Sequence, residues 1–180
     1  MRADAERNLD AVLETGARLL AADPGVSVAA IAQAAGVDRR TVYRRFPNRD
    51  ALLCGIYQAK MQAIEDVITQ SRLSEAPVMV ALHRLLEGIV VADRRYPVGY
   101  RQMHCHPTTS DRLEKLREQI EAFLQRAVDE GEIRSGLPEG MAWSLFITIV
   151  DLVAHRLDEL EPGPAADVAA DTLLNGIGAR

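Results

Sequence analysis

The apolar residues of this chain recur at intervals of three and four almost throughout, and no run of alternating β-branched residues bounded by turn residues interrupts them. A half-buried strand needs a period of two, whereas a helix lying on a core needs 3.6. The expected fold class is therefore all-α. Leu9, Val12, Leu13, Gly16, Leu19 and Leu20 mark one face of a first helix, which Asp23-Pro24-Gly25 stops. Ser27 is the N-cap expected of a short helix through Ala35, and Asp38 that of another ending near Phe46-Pro47. Asn48 opens a long helix carrying Leu52, Leu53, Ile56, Tyr57, Ile64, Val67 and Ile68. The second half predicts an amphipathic helix from Ser74 to Tyr96, and a short helix or irregular link over 97–106 closed by Pro107. It then predicts a helix capped by Ser110, one begun by Pro138, and a last one after the linker Glu161-Pro162-Gly163-Pro164.

One segment, SVAAIAQAAGVDRRTVYRRFPNRDALL from Ser27 to Leu53, demands a particular geometry. Ala32 is small enough to let the next helix cross closely. Gly36 stands where the chain must turn sharply, with positive φ expected. Val42 is placed to pack back onto Ile31 and Val28. These spacings of four and six residues are those of a helix-turn-helix. An ordinary αα-corner explains the three positions equally well, but it leaves the arginines of the second helix without a role.

Charge supports the sharper reading. The net charge of −5 taken whole argues against a nucleic-acid partner. Yet between Gly36 and Arg49 stand five arginines, Arg39, Arg40, Arg44, Arg45 and Arg49, against one acid, Asp38, a local balance of +4. Residues 51–180 carry 13 basic and 19 acidic side chains, a balance of −6. Such segregation suggests a small anion-binding surface on an acidic body.

The same residues carry a family resemblance. IAQAAGV followed by TVYRRFPNRDALL resembles the DNA-binding domain of TetR-type regulators, with Tyr43 and Phe46 in their usual places, over about residues 5–55. The chain departs from the family in having arginine at Arg49, where lysine is usual, and a long cation at Arg40, where a small residue is common. The resemblance implies a helix-turn-helix domain over 1–49 and a ligand-binding and dimerisation domain over 50–180. The recognition helix would enter the major groove of double-stranded operator DNA N-terminus first. Arg39 and Arg40 would meet guanine edges, although Arg40 can equally add backbone affinity. Thr41 would meet a thymine methyl or a phosphate. Tyr43, Arg45 and Arg49 would hold phosphates, and Arg44 bases or phosphate. Asp38 caps the helix, and Ser27 with the amide of Val28 offers a phosphate site at a helix N-terminus.

Beyond that domain, the stretch Trp143 to Val153 is apolar almost all round, and Ala165, Ala166, Ala169 and Ala170 permit close helix approach. A homodimer is expected, with a central core helix of a monomer as the alternative. The resemblance also implies a pocket for a small-molecule effector and the behaviour of a repressor that the effector releases. The pocket candidates are Leu86, Ile89, Tyr100, Met103, His104, Phe123, Trp143, Phe146, Ile147 and Asp151, with His83 and His155 as further polar groups.

His104-Cys105-His106 invites a metal reading, but adjacent helical residues point about 100° apart and rarely share an ion. No metal and no cofactor is expected. The absence of GxSxG, HExxH, P-loop and glycine-rich dinucleotide motifs argues against an enzyme. The N-terminus has no apolar signal region and no stretch spans a bilayer, so a cytoplasmic protein with no membrane partner is expected.

Overall fold

A computed structural model describes residues 2–104, 106 and 109–177, with side chains throughout except those of residues 2–6, 104 and 177. The elements are α1 (Arg2–Ala22), α2 (Val28–Ala34), α3 (Arg39–Arg45), α4 (Arg49–Ser71), α5 (Val78–Arg95), α6 (Tyr100–His104), α7 (Ser110–Asp129), α8 (Met141–His155) and α9 (Pro162–Ile177). No strand occurs among the described residues, and the fold is all-α as the periodicity requires.

Three helix starts differ from the sequence expectation. α5 begins at Val78 rather than Ser74, because Arg72 turns the chain with a left-handed φ of 53° and residues 72–76 form a turn before Pro77. α8 begins at Met141 rather than Pro138, because Gly140, at φ 71°, is the N-cap. The expected linker Pro162-Gly163-Pro164 is instead the first turn of α9. Proline suits that place, since its missing N–H would have no acceptor there. Cys105 and Pro107 lie outside the described residues.

The chain divides into two units, Met1–Gln62 with Arg95–Asp111, and Ala63–Arg94 with Arg112–Arg180. In the first, α1 packs on α2 and α2 on α3, around buried Val12, Leu13, Ile31, Ala32, Val42, Phe46, Leu52 and Ile56. Residues 95–109 join this unit through buried Tyr96, Val98, Met103 and Thr109. Lys60 on α4 is only 3% exposed, and its Nζ donates to the Val98 carbonyl at 2.6 Å. Burying an ammonium is costly unless it is paired in this way. Arg95 pairs with Glu14 of α1 at 2.6 Å.

In the second unit α8 packs along α9, and α5 and α7 bury Leu82, Leu85, Leu86, Ile89, Leu116, Ile120, Phe123 and Leu124. Arg94 caps the C-terminus of α8, where the last carbonyls lack intrahelical donors. Its guanidinium donates to the carbonyls of Leu160 (2.6 Å), Leu157 (3.0 Å), Val153 (3.3 Å) and Ala154 (3.4 Å). Arg126 does the same for the turn after α4, donating to the carbonyls of Leu73 and Ala76.

Candidate nucleic-acid interface and ligand groove

Each short helix of the first unit starts on a side-chain cap. Ser27 Oγ accepts from the Ala30 amide at 3.1 Å. Asp38 Oδ1 accepts from the amides of Arg40 (3.0 Å) and Thr41 (3.2 Å), and Asn48 Oδ1 from Ala51 (2.8 Å). Between α2 and α3 the chain turns at Gly36, whose φ is +66°. The Val37 amide there reaches back to the Ala32 carbonyl at 3.0 Å, closing the end of α2. Val28, Ile31 and Val42 are buried together at 7%, 1% and 2% exposure. The turn and these side chains fix α3 against α2.

What α3 turns outward is almost wholly cationic. Arg39, Arg40, Thr41, Arg44 and Arg45 are exposed, as is Arg49 at the start of α4, and α3 carries no acid. Tyr43 is half-buried, and the Arg39 guanidinium stands over its ring, 5.3 Å from the centroid. That stack holds a planar fork of donors at the first turn of the helix. Ser27 is exposed, and its hydroxyl proton remains available beside the first-turn amide of Val28. The DNA-binding candidates thus stand together on one unit, with arginines on α3 and its flanks.

The ligand candidates fall in both units. Met103 is buried and Tyr100 half-buried in the first. His104 belongs to α6, with its side chain outside the described residues. Leu86, Ile89, Phe123 and Phe146 lie in the packed core of the second unit. Trp143 and Ile147 are half-buried on α8, and Asp151 is exposed, 3.9 Å from His155. His83 pairs with Asp167 of α9 at 3.0 Å. His106 sets its ring edge-on to Tyr57, with centroids 5.3 Å apart. Among the described residues no three His, Cys, Asp or Glu side chains are grouped to hold a metal.

The second unit also contains a groove that the sequence did not announce. It runs along α7 from Arg117 to Asp129, past the connection over 130–140 to the first turn of α8, and is an open groove of about 630 Å³. Arg117, Glu121, Leu124, Val128, Arg134 and Trp143 line it, among others. Gly136 and Gly140, at φ 78° and 71°, bend the connection around its rim. Of the ten sequence candidates, Trp143 faces this groove. Arg117 and Glu121 fall among the many charged residues of α7, and nothing beside them in the sequence marks them as lining a groove.

Residues 12–54 match the model of the bacterial regulatory proteins of the tetR family. The nucleoid occlusion factor SlmA of Marinobacter nauticus is 26% identical over 136 residues, 71% of this chain and 70% of that protein. The HTH-type transcriptional repressor LfrR of Mycolicibacterium smegmatis is 34% identical over 83 residues, 46% of this chain and 44% of that protein. The solved structure of the TetR-like regulator LfrR in complex with proflavine superposes with a TM-score of 0.72 at 23% identity, covering 95% of this chain and 97% of that one. The chain thus matches the family's N-terminal domain over residues 12–54 and shares the fold of solved TetR-like regulators along nearly its whole length.

Proposed function

We propose that this protein is a homodimeric repressor that binds a specific operator through α3 and leaves it when a small molecule occupies the C-terminal domain. The observation that carries the reading is an Asp38-capped α3 with four exposed arginines and no acid. Arg39 and Arg40 read base edges from the first turn, and Thr41 adds a methyl or phosphate contact. Tyr43, Arg45, Arg49, Ser27 and the Val28 amide hold phosphates, and Arg44 serves either purpose. In a two-fold dimer the two α3 helices meet successive major grooves, about 34 Å apart. The helix-turn-helix domain is taken as 1–49 and the ligand-binding and dimerisation domain as 50–180. A regulator of chromosomal DNA works in the cytoplasm, and no helix among the described residues is long and apolar enough to cross a membrane. The solved likeness to a regulator holding proflavine supports a C-terminal domain that takes a small molecule. Effector and operator then weaken each other's binding by the same factor.

A gel shift of the full-length protein against DNA flanking its own gene tests this. Retention of that DNA over a scrambled sequence supports a specific operator; equal binding of both contradicts it. The match to nucleoid occlusion factors extends well beyond the helix-turn-helix, and it favours a second reading in which the protein acts on the nucleoid as a whole rather than at single promoters. Mapping of bound sites along the chromosome separates the two: a few promoters for a local repressor, many scattered sites for the alternative.

A further inference from the structure

Of the arginines on α3 and at the start of α4, one is already held. The Arg39 guanidinium lies over the ring of Tyr43, one turn on, 5.3 Å from its centroid. Residues at i and i+4 share a helix face, and helical side chains lean toward the N-terminus, so the Tyr43 ring leans back over the first turn. Tyr43 is half-buried on a helix whose Val42 and C-cap Phe46 are core residues, which leaves the ring little freedom of its own. Asp38, the nearest acid in the sequence, is engaged with the helix backbone through Oδ1. Among the described residues Arg40, Arg44, Arg45 and Arg49 have no side-chain hydrogen bond, ion pair or ring contact to hold them.

We propose that Tyr43 is a specificity-determining residue, because its ring aims Arg39 at the base edge that Arg39 reads. The proposal rests on the reading of α3 as the helix that enters the major groove. The contact with the ring uses the charge of the guanidinium and leaves its N–H donors uncommitted. Bidentate recognition of guanine O6 and N7 needs a pair of those donors in one plane. An arginine free in solvent is ordered only on binding, and for so long a side chain that costs about 2- to 10-fold in affinity. With Tyr43 beside it, Arg39 has part of that order in advance. The same order acts against a wrong base, since a guanidinium held in place is less able to leave a mismatched edge for a phosphate. The hydroxyl at the far end of the ring is left to hold a phosphate, so the two uses of Tyr43 are separable. Phenylalanine keeps the ring and loses the hydroxyl, whereas leucine keeps only apolar bulk.

Wild type, Tyr43→Phe, Tyr43→Leu, Arg39→Ala and the double variant Arg39→Ala/Tyr43→Leu, all full-length, are titrated with the protein's own promoter DNA, its single-base variants and a scrambled sequence. Tyr43→Phe is expected to keep the wild-type base preference and to lose affinity for all DNA alike. Tyr43→Leu is expected to relax preference by about 2- to 10-fold at the position that Arg39→Ala relaxes. In the Arg39→Ala background it should relax that position no further. Before any DNA is added, NMR of the wild type should show Arg39 side-chain protons shifted upfield by the ring current of Tyr43, and Tyr43→Phe should preserve that shift. This measurement does not depend on the folding of Tyr43→Leu. Four results each overturn the proposal: unchanged preference in Tyr43→Leu, relaxation at a position other than that of Arg39→Ala, relaxed preference in Tyr43→Phe, or unshifted Arg39 protons in the wild type. A wild type that holds scrambled DNA as tightly as its promoter overturns the operator reading and this proposal with it, whereas a discriminating wild type with any of those four results overturns this proposal alone.

Discussion

The ring of Phe46 occupies the space that a side chain on Gly55 would need: its Cε1 stands 2.7 Å from where a Cβ would be built. Phe46 is the C-cap of α3 and is 7% exposed, so it cannot swing into solvent. Leu13 of α1 closes the same spot at 3.2 Å. The bare backbone at Gly55 thus sets how closely the end of the arginine-bearing helix approaches α4. Gly55→Ala is expected to force Phe46 and α3 outward, at a cost of about 1–3 kcal/mol less the helix-propensity gain of alanine. DNA affinity should fall with it. Urea unfolding and a DNA titration on the same variant check this, and an equally stable variant with unchanged affinity would show that the close approach does not matter.

Arg94 is expected to be among the costliest single arginines to lose. Four carbonyls at and beyond the end of α8 depend on its guanidinium. Arg94→Met keeps the stem and leaves those acceptors short of donors, which should cost about 1–3 kcal/mol in chemical denaturation. A loss below about 0.5 kcal/mol, the range of an ordinary surface substitution, would mean that water serves the carbonyls equally well.

Leu152 on α8 and Val168 on α9 remain 49% and 40% exposed in the single chain. Large apolar side chains on two adjacent packed helices fit a surface that a second copy covers. The wild-type protein is expected to sediment as a dimer at micromolar concentration, and Leu152→Glu as a monomer. A monomeric wild type, or a dimer indifferent to Leu152→Glu, would exclude this face.

Glu65 and Arg112 join α4 to α7 through two contacts of 2.5 and 2.7 Å. The hydrogen bond from Arg112 holds the Glu65 carboxyl below its ordinary value of 4.5, against a smaller upward push from burial. A carboxyl with a depressed folded pKa stabilises fully above the unfolded value and loses that contribution as pH falls through the folded one. Glu65→Gln should therefore cost about 1 kcal/mol near neutral pH, and the difference should shrink below pH 4.5. Denaturation curves of both proteins across that range test the sign; a difference independent of pH would contradict it.

The helix-turn-helix was legible because its determinants are local. Ser27, Asp38 and Asn48 cap within three residues of themselves, and Gly36 adopts the positive φ its place demands. The period-3.6 pattern likewise yielded the all-α fold. Pro162 has two local meanings, since it reads as a linker but also suits the first turn of a helix, which is where it stands. Partners remote in sequence left no trace at all. Nothing near Arg94 in the chain points to carbonyls some sixty residues on, and nothing near Lys60 points to Val98. The groove was hidden for the same reason, since Arg117 lies far in sequence from Trp143, which it covers.

In the proposed complex α3 reads bases at its start and holds phosphates at its end. The direct measurement is binding of wild type, Arg39→Ala, Arg40→Ala and Arg49→Ala to the protein's own promoter DNA and its single-base variants, at two salt concentrations. Wild-type log affinity should fall with log salt at a slope of roughly −4 or steeper, from about −0.9 for each phosphate neutralised by Arg45 and Arg49 in a dimer. Arg39→Ala or Arg40→Ala should cost about 1–3 kcal/mol on the specific site and relax preference at one position per half-site. Arg49→Ala should weaken all DNA alike and make the slope shallower by about one per half-site. Altered base preference in Arg49→Ala, with preference intact in both Arg39→Ala and Arg40→Ala, would contradict this orientation of α3 in the groove.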